Sequence, residues 1–529
     1  MKYYEETYGI KVTIKNQPLL KVVGRVEQIL KNGKMERSPE YIYLIPEFVS
    51  MTGLTEKQKN NRSTMAKIAP HTKVDPSDRI KQSRSIVEKL RENDGLLCIE
   101  DSQTMEGMVL DRPTVQYAGT QCPNEQGLMK NRGKLRNPFK FKDWVVVYSR
   151  PDRPGDKDET QNYIDTLKNA GKTYGIDFAA PLLVNCSGSA SDWISSLRED
   201  MKHHGIPEIL VFILKDKEEK YYPALKNFCI NELKCPNQFI RKRTLSKDSR
   251  GAMSAASKIG IQMNIKMGAT PWAVEKSHPY FKNRNVMYGA LSMSRGKNGF
   301  TLAFVGTIAN DCTKVFSDVK LGIERKEEIP SVMLEDIFVN WAKNFFQTNS
   351  RKVPETIILY REGLSDAQIE DQLPRTELPA LHGMVKKIAE KTKTPNYKPE
   401  IVIVVVNKKI NSKFYSMDKA YVNNPVSGSV IADSLSTNEE TYSFHLAAQQ
   451  VNQGSCTPTL YKVVHDTSKI PKEALVNFTF EQCFNYYNWE GAVRVPACLQ
   501  CADKMAKLFG ESIQKNFEPS ALNKQHFFL

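Results

Sequence analysis

The sequence lacks the long apolar runs and the paired cysteine motifs that would define its class at once. No stretch approaches the roughly 18 consecutive apolar residues that a membrane-spanning helix needs, and the opening MKYYEETYGIKV is too polar for a signal peptide. The ten cysteines are irregularly spaced, and CLQC at 498–501 is the only CxxC pair. Without a second pair or suitably spaced histidines, the sequence does not predict a zinc site.

Low-complexity segments and internal repeats are also missing. With 40% apolar and 9% aromatic residues among 529, the composition is that of a globular chain long enough for two or three domains. Reduced thiols in the cytoplasm and/or nucleus are the expectation for such a chain. The net charge of +15 favours a polyanionic partner such as nucleic acid, although an anionic membrane surface would satisfy it equally.

Apolar runs alternate with helical patterns in two parts of the chain. In the first part, WVVVY (144–148) and ILVFIL (209–214) predict buried strands, and QNYIDTLKNAGKTYG (161–175) predicts a helix between them. The second part shows the same alternation in VMYGALSMS (286–294), FTLAFVGTIA (300–309), a helical pattern over about 332–347, TIILY (356–360) and IVIVVV (401–406). Both parts therefore indicate open α/β sheets.

Three strings near the end of the chain carry a family resemblance. ILYREGLSD (358–366), CTPTLYKVVHD (456–466) and FEQCFNYYNWEGAVRVP (480–496), in this order, resemble the PIWI domain of the Argonaute superfamily, Piwi branch. Upstream, VFILKDKEEKYYPALKNF (211–228) resembles the core of the MID domain in the same family. The resemblance extends over nearly the whole chain.

The resemblance implies an α/β protein in three parts. These are a mixed linker region at 1–135, a Rossmann-like MID domain at 136–275 and an RNase H-like PIWI domain at 276–529. The basic, turn-rich NRGKLRNPFK (131–140) supports the first boundary. The family's N-terminal and PAZ domains are expected to be missing, because YYEETYGIKVTIKNQPLL (3–20) is similar to the segment that leaves a PAZ domain.

One cluster of positions suggests a phosphate pocket. Tyr222 and Lys226 are four residues apart, on one face of a predicted helix whose first turn suits Pro223. A lysine attracts phosphate and a tyrosine ring stacks on a base, although both are also ordinary on a helix surface. The resemblance favours the pocket, because with Gln238 this set matches the residues that hold the guide RNA 5′ phosphate. Arg494 stands where the family contacts the guide backbone.

Gln262 and Lys266 repeat the four-residue spacing. The Argonaute branch has Lys at the position of Gln262, whereas Piwi relatives have Gln there and pair it with a metal ion and the terminal carboxylate. Here that carboxylate belongs to Leu529. The resemblance therefore implies that Gln262 and Leu529 hold Mg²⁺ beside the guide phosphate, which suits an ion that prefers oxygen ligands.

The positions that carry strand cleavage in the family have changed. Slicing members use two divalent ions, held at positions that here are Leu291, Pro330, Glu362 and Leu460. Leucine and proline side chains offer no ligand, and Glu362, where the family has Asp, displaces its carboxylate by roughly an ångström. Glu327 and Glu328 are close enough in sequence to substitute for Pro330. No catalytic metal pair is expected, and Asp503 stands where relatives often have His.

The expected function is small-RNA-guided silencing without slicing, so the chain is not expected to be an enzyme. It would bind the 5′ phosphate of a small guide RNA, pair the guide with target RNA and act through protein effectors such as nucleases or silencing factors. It would work as a monomer within a ribonucleoprotein and without a membrane. Two alternatives stay open: a weak metal-dependent endonuclease using Glu362 with Glu327 or Glu328, and a scaffold that no longer binds RNA.

Overall fold

The structure is a computed structural model of the 529-residue chain. It describes residues 2–14, 16–31, 34–50, 53–59, 61–93, 104–123, 133–149, 156–245, 249–296, 299–324, 329–418, 421–432, 441–513, 515, 517–518 and 520–529. The chain forms two compact units, Met1–Val74 and Asp75–Leu529.

The first unit contains one antiparallel strand pair. Its elements are α1 (Lys2–Tyr8), β1 (Leu20–Lys31), β2 (Lys34–Leu44), α2 (Glu56–Lys59) and α3 (Arg62–Thr72). The pair of β1 and β2 begins with Leu20 opposite Leu44. After the strands, the carboxylate of Glu47 accepts hydrogen bonds from the backbone N–H groups of Thr13 (3.0 Å) and Ile14 (3.1 Å), which holds the segment before β1 in place.

The second unit has two larger sheets. Its elements between residues 76 and 266 are α4 (Pro76–Asn93), β3 (Met108–Val109), β4 (Thr114–Tyr117), β5 (Thr120–Pro123), β6 (Lys140–Phe141), β7 (Trp144–Ser149), α5 (Asp156–Tyr174), β8 (Asp177–Phe178), β9 (Leu182–Cys186), α6 (Ala190–His204), β10 (Ile209–Leu214), α7 (Tyr222–Asn227), β11 (Asn237–Arg241) and α8 (Ser249–Lys266). Four of these strands form a parallel sheet in the order β11–β10–β7–β9. Strand β10 is buried along its whole length, as parallel strands covered on both faces are.

The remaining elements are β12 (Ala273–Val274), α9 (Pro279–Lys282), β13 (Val286–Gly296), β14 (Gly299–Thr307), β15 (Val315–Ile323), α10 (Ser331–Thr348), β16 (Thr356–Glu362), α11 (Asp366–Arg375), α12 (Glu377–Thr392), β17 (Glu400–Asn407), β18 (Ser416–Asp418), β19 (Tyr421–Asn423), β20 (Ser429–Ala432), β21 (Tyr442–Ala447), β22 (Thr459–Asp466), α13 (Lys472–Gln482) and α14 (Ala497–Lys507). They build a nine-stranded sheet in the order β15–β14–β13–β16–β17–β22–β21–β20–β3. Strands β13, β16 and β17 are mutually parallel and the other pairs are antiparallel.

Helices cover both faces of the nine-stranded sheet. On one face, α10 and α12 pack through an apolar cluster that includes Trp341 and Leu381. On the other face, α14 lies against β13 and β14. The Rossmann-like parallel sheet and the RNase H-like mixed sheet confirm the predicted fold class. The region before them is mixed as predicted, and its strand β3 forms the edge of the nine-stranded sheet by pairing with β20.

The predicted strands and helices match elements of the structure. Near the end of the chain, α14 ends at Lys507 and the backbone continues as a wider π-helical turn at Leu508–Ile513. There the backbone approaches β13 closely: a Cβ on Gly296 would meet the carbonyl oxygen of Gly510 at 2.8 Å. The predicted boundaries at 135/136 and 275/276 stay predictions.

No helix in the described ranges is long and apolar enough to cross a membrane. Eight cysteines of the described part are free thiols, and all eight are buried.

Candidate functional site

The predicted phosphate-pocket residues meet where α7, β11, α8 and the last residues of the chain come together. Lys226 is 2% exposed, and its Nζ donates to Asn237 Oδ1 (2.8 Å) and to the carbonyl oxygen of Phe527 (3.1 Å). Lys266, the last residue of α8, is 3% exposed and donates to the carbonyl oxygen of Asn237 (2.9 Å) and to Gln238 Oε1 (2.8 Å). Both ammonium groups are thus solvated by neutral oxygens.

Two side-chain amides continue this network. Gln238 Nε2 donates to Gln262 Oε1 (3.3 Å), and Gln262 Nε2 donates to Asn488 Oδ1 (2.6 Å). Asn488 lies in the loop between α13 and α14, so this loop contacts the pocket across more than 200 residues of sequence. Sequence reasoning did not single out Asn488, although it lies within a string that carried the resemblance.

Tyr222 and Leu529 also lie at this place. Tyr222 begins α7, is half-buried and packs its ring against Phe239 with 4.7 Å between centroids. Leu529 is buried, and its N–H donates to the carbonyl oxygen of His526 (3.1 Å). The structure therefore brings Tyr222, Lys226, Gln238, Gln262 and Lys266 together at the junction of α7, β11 and α8. Leu529 lies two residues after Phe527, whose carbonyl oxygen accepts from Lys226.

The charged forms of the pocket lysines are disfavoured by burial. Burial lowers the pKa of Lys226 to about 7. Burial also lowers the pKa of Lys266 well below its usual value, and the ammonium groups of Lys226 and Lys504 lower it further. Within the described ranges, neither Lys226 nor Lys266 forms an ion pair with a carboxylate. A bound anion would relieve both the desolvation and the repulsion.

Lys504 is a member of this cluster that sequence reasoning missed. It lies on α14, and burial lowers its pKa. Its charge lowers the pKa values of Lys226 and Lys266, which are more than 200 residues away in sequence. Only the packing of α14 brings it there, so spacing along the chain gave no signal.

A second positively charged place lies at one end of the nine-stranded sheet. A cavity of about 200 Å³ is lined by Leu446, Ala447, Ala448, Gln449, Val451, Cys456, Thr457 and Arg494. Arg494, the predicted contact to the guide backbone, donates from Nη2 to the carbonyl oxygens of Lys408 and Pro458 (3.2 Å to the latter). Its guanidinium is half-buried, and burial lowers its pKa.

Two further cations accompany Arg494 and were not predicted. Lys413 donates to the hydroxyl of Thr457, and Arg79 Nε donates to Ser455 Oγ (3.1 Å). Burial lowers the pKa of Lys413, and the charges of Arg79 and Arg494 add to this effect. Arg494 lines the cavity, and Lys413 contacts Thr457 of its wall. Positive charge at this place suits a polyanionic backbone.

The four positions expected to be remnants of a cleavage centre do not converge. Leu291 pairs with Arg361 across β13 and β16, so it shares the face of Arg361 and not that of its neighbour Glu362. On β17, Glu362 of β16 lies opposite Val406, whereas Leu460 of β22 lies opposite the next residue, Asn407. Leu460 and Glu362 therefore also lie on opposite faces of the sheet. If these positions met in space as in the family, Leu291 and Leu460 would pack beside Glu362. Alternation along the strands instead directs both leucines to the other face of the sheet.

The side chains of Leu291 and Pro330 have different surroundings. Leu291 packs in the apolar cluster under α10 and α12. Pro330 is exposed and immediately precedes α10. Glu327 and Glu328, offered as substitutes for Pro330, lie outside the described residues.

Glu362 instead belongs to a charged cluster that sequence reasoning did not find. We call it the Lys408 cluster, and it consists of Ser292, Glu362, Lys408, Asp503 and Lys507. Ser292 donates its hydroxyl to Glu362, and the Lys408 ammonium forms an ion pair with the same carboxylate. Lys408 Nζ lies 3.4 Å from Asp503 Oδ2, which Lys507 also approaches at 2.9 Å. In the part of the chain that the structure describes, no group of three or more His, Cys, Asp or Glu is placed to hold a metal ion.

Family models match two parts of the chain. The Piwi domain model matches residues 209–514, and the PAZ domain model matches residues 1–75. The second match goes against the expectation that the chain lacks a PAZ domain. That expectation rested on strings similar to the exit of a PAZ domain and to the linker after it, whereas the PAZ domain model matches the first 75 residues. The front of the chain is therefore PAZ-like in sequence.

Known proteins resemble the chain over its full length. It is 27% identical to Piwi-like protein 1 of Danio rerio over 97% of the chain, and 26% identical to Protein argonaute-3 of Drosophila melanogaster over all of it. In both cases it spans only 59% of the relative. It is 29% identical to Piwi-like protein 3 of Homo sapiens over all of the chain and 59% of that relative.

Solved structures share the fold. Drosophila Piwi superposes on the whole chain with a TM-score of 0.75 at 21% identity, using 68% of its own length. Kluyveromyces polysporus Argonaute, solved with a guide RNA, superposes on the whole chain with a TM-score of 0.77 at 15% identity, using 64% of its length.

Proposed function

This chain belongs to the Piwi domain family, and on that premise we propose that it binds the 5′ phosphate of a small guide RNA and silences target RNA without cleaving it. The buried lysine pair Lys226 and Lys266 carries the first half of the proposal. Two ammonium groups that are held only by neutral oxygens would be stabilised by an anion bound beside them. A terminal phosphate supplies two negative charges and several acceptors.

The guide's remaining contacts follow from the same arrangement. Tyr222 offers a ring beside the pocket for the first base. The cavity bounded by Arg494, together with Arg79 and Lys413, offers charge for backbone phosphates further along. Two structures that share the fold were solved with a nucleic-acid guide, the Kluyveromyces polysporus Argonaute with RNA and the Clostridium butyricum Argonaute with DNA. Both support a nucleic acid as the polyanion.

Mg²⁺ fits this pocket only together with the phosphate. Gln262 offers one amide oxygen and Leu529 its carboxylate, and both are hard ligands suited to the ion. Lys226, Lys266 and Lys504 would repel a cation that entered without an anion. When bound, Mg²⁺ would add positive charge beside the phosphate, and Gln262 and Leu529 would hold it.

The absence of cleavage is proposed from the surroundings of Glu362. This carboxylate is engaged by Lys408 and Ser292. Leu291 and Leu460 lie on the other face of the sheet and offer no ligand atoms. Silencing would then depend on protein effectors, recruited while the guide pairs with its target.

The pocket is tested by comparing guides with and without a 5′ phosphate. We expect the wild-type protein to bind a 5′-phosphorylated guide about 10- to 100-fold more tightly than its 5′-hydroxyl counterpart, the range for a charge-assisted hydrogen bond. Lys226→Met should remove most of this preference. The exposed Lys217→Met is the matched control and should keep it, with binding followed by fluorescence anisotropy. Equal affinity of the wild-type protein for the two guides would contradict the proposal.

A further inference from the structure

In the Lys408 cluster, the ammonium group of Lys408 lies between two carboxylates that come from separate elements. Glu362 ends β16, Lys408 follows β17 directly, and Asp503 lies on α14. The Lys408 ammonium contacts the carboxylates of both acidic residues. One cation thus bridges two anions from separate elements, at the ends of two neighbouring parallel strands.

We infer that Lys408 is a resident cation that takes the place of a divalent metal ion between Glu362 and Asp503. This inference rests on the proposed function and explains how cleavage would be prevented at Glu362. The cluster has two carboxylates and two ammonium groups, so its formal charge is balanced without an ion from solution. Removing Lys408 would leave two carboxylates, already positioned by separate elements, with too little positive charge.

Burial distinguishes Lys408 from an ordinary surface ion pair. The side chains of Glu362, Lys408 and Asp503 are 18%, 21% and 14% exposed, whereas that of Lys507 is 55% exposed. Lys507 therefore approaches Asp503 from the solvent side, where ion pairs contribute little. Lys408 occupies the inner position, where its charge is screened less.

Lys408 also connects the cluster to the second basic site. Its backbone carbonyl accepts a hydrogen bond from Arg494 Nη2, while its side chain faces Glu362. A divalent cation in place of the Lys408 ammonium would be held by the two carboxylates and by water. The hydroxyl of Ser292 donates to Glu362 and fixes one of these carboxylates.

The test uses Mn²⁺ as the probe and needs no RNA, so its failure is separate from a failure of guide binding. We expect full-length Lys408→Met, which removes the charge and keeps an unbranched side chain, to bind one more Mn²⁺ ion than the wild type, measured by electron paramagnetic resonance. Its Tm should fall without Mn²⁺ and recover when Mn²⁺ is added. Lys408→Met/Glu362→Gln should lose both the additional ion and the recovery.

Lys507→Met is the matched control, because it removes the other ammonium from the same Asp503 carboxylate. We expect it to bind Mn²⁺ as the wild type does. Equal Mn²⁺ binding by Lys408→Met and the wild type would overturn the inference, and so would the same gain in Lys507→Met. If Lys408→Met does not fold, Lys408→Gln replaces it: the same gain supports the inference and no gain overturns it.

Discussion

Lys226 carries an unfavourable charge in the guide-free protein. Burial lowers its pKa from 10.5 to about 7, so between these values the unfolded chain binds more protons than the folded one. The free energy of unfolding therefore rises with pH across this window, because the cost of burying the charge disappears as Lys226 loses its proton. Below the folded-state pKa that cost is fully present.

The rise of the free energy of unfolding with pH predicts how Lys226→Met behaves in the guide-free protein. The variant should be more stable than the wild type below pH 7, and its advantage should shrink as the pH rises from about 7 towards 10.5. Urea denaturation at several pH values measures the difference, with Lys217→Met as the control that shows no such trend. An advantage that grows with pH would contradict the description of Lys226 as a buried cation.

Single residues show which part of the site the sequence could predict. Tyr222, Lys226 and Gln238 lie close together along the chain, so spacing and resemblance were enough to group them. Lys408 and Lys504 contact groups that only folding brings near, and no local pattern marks them. A buried ammonium with neutral partners is a property of three-dimensional packing.

At the scale of secondary-structure elements, one buried ion pair connects β16 to α12. Arg361 Nε donates to Glu377 Oε1 at 2.9 Å, and both side chains are fully buried. Arg361 Nη1 also donates to the carbonyl oxygen of Glu362 (3.1 Å). The pair therefore fixes the strand end that presents Glu362 to Lys408.

Breaking this pair should be costly. We predict that Glu377→Gln lowers the free energy of unfolding by about 3–5 kcal/mol, because it leaves the Arg361 charge buried without a partner. Arg375→Met is the control: its pair with Asp371 is exposed, so the loss should stay below about 1 kcal/mol. Denaturant unfolding measures both. Equal, small losses would show that the buried pair does not hold the strand end.

Strands and helices were predicted more easily than their register. The continuous apolar runs of β7, β10, β16 and β17 indicate buried strands from composition alone. The face of each residue depends on pairing, and a shift of one residue reverses it. This is why Leu291 and Leu460 were expected beside Glu362 although they lie on the opposite face.

At the scale of the whole molecule, the guide pocket joins parts of the chain that are distant in sequence. Lys226 on α7 bonds to Phe527 near the end of the chain, and Gln262 on α8 bonds to Asn488 in the loop before α14. The α/β class and the order of the two sheets followed from apolar runs and resemblance. The PAZ match at residues 1–75 was not predicted, because the first residues resemble the segment that leaves a PAZ domain.

Guide binding without slicing is tested by a cleavage assay with the purified protein. The protein is loaded with a 5′-phosphorylated guide, its retention is compared with that of a 5′-hydroxyl guide, and a fully matched labelled target is added with Mg²⁺ or Mn²⁺. We predict retention that depends on the phosphate and a target that stays intact. A single metal-dependent cut opposite the centre of the guide would contradict the account, since Glu362 would then act in a working metal site.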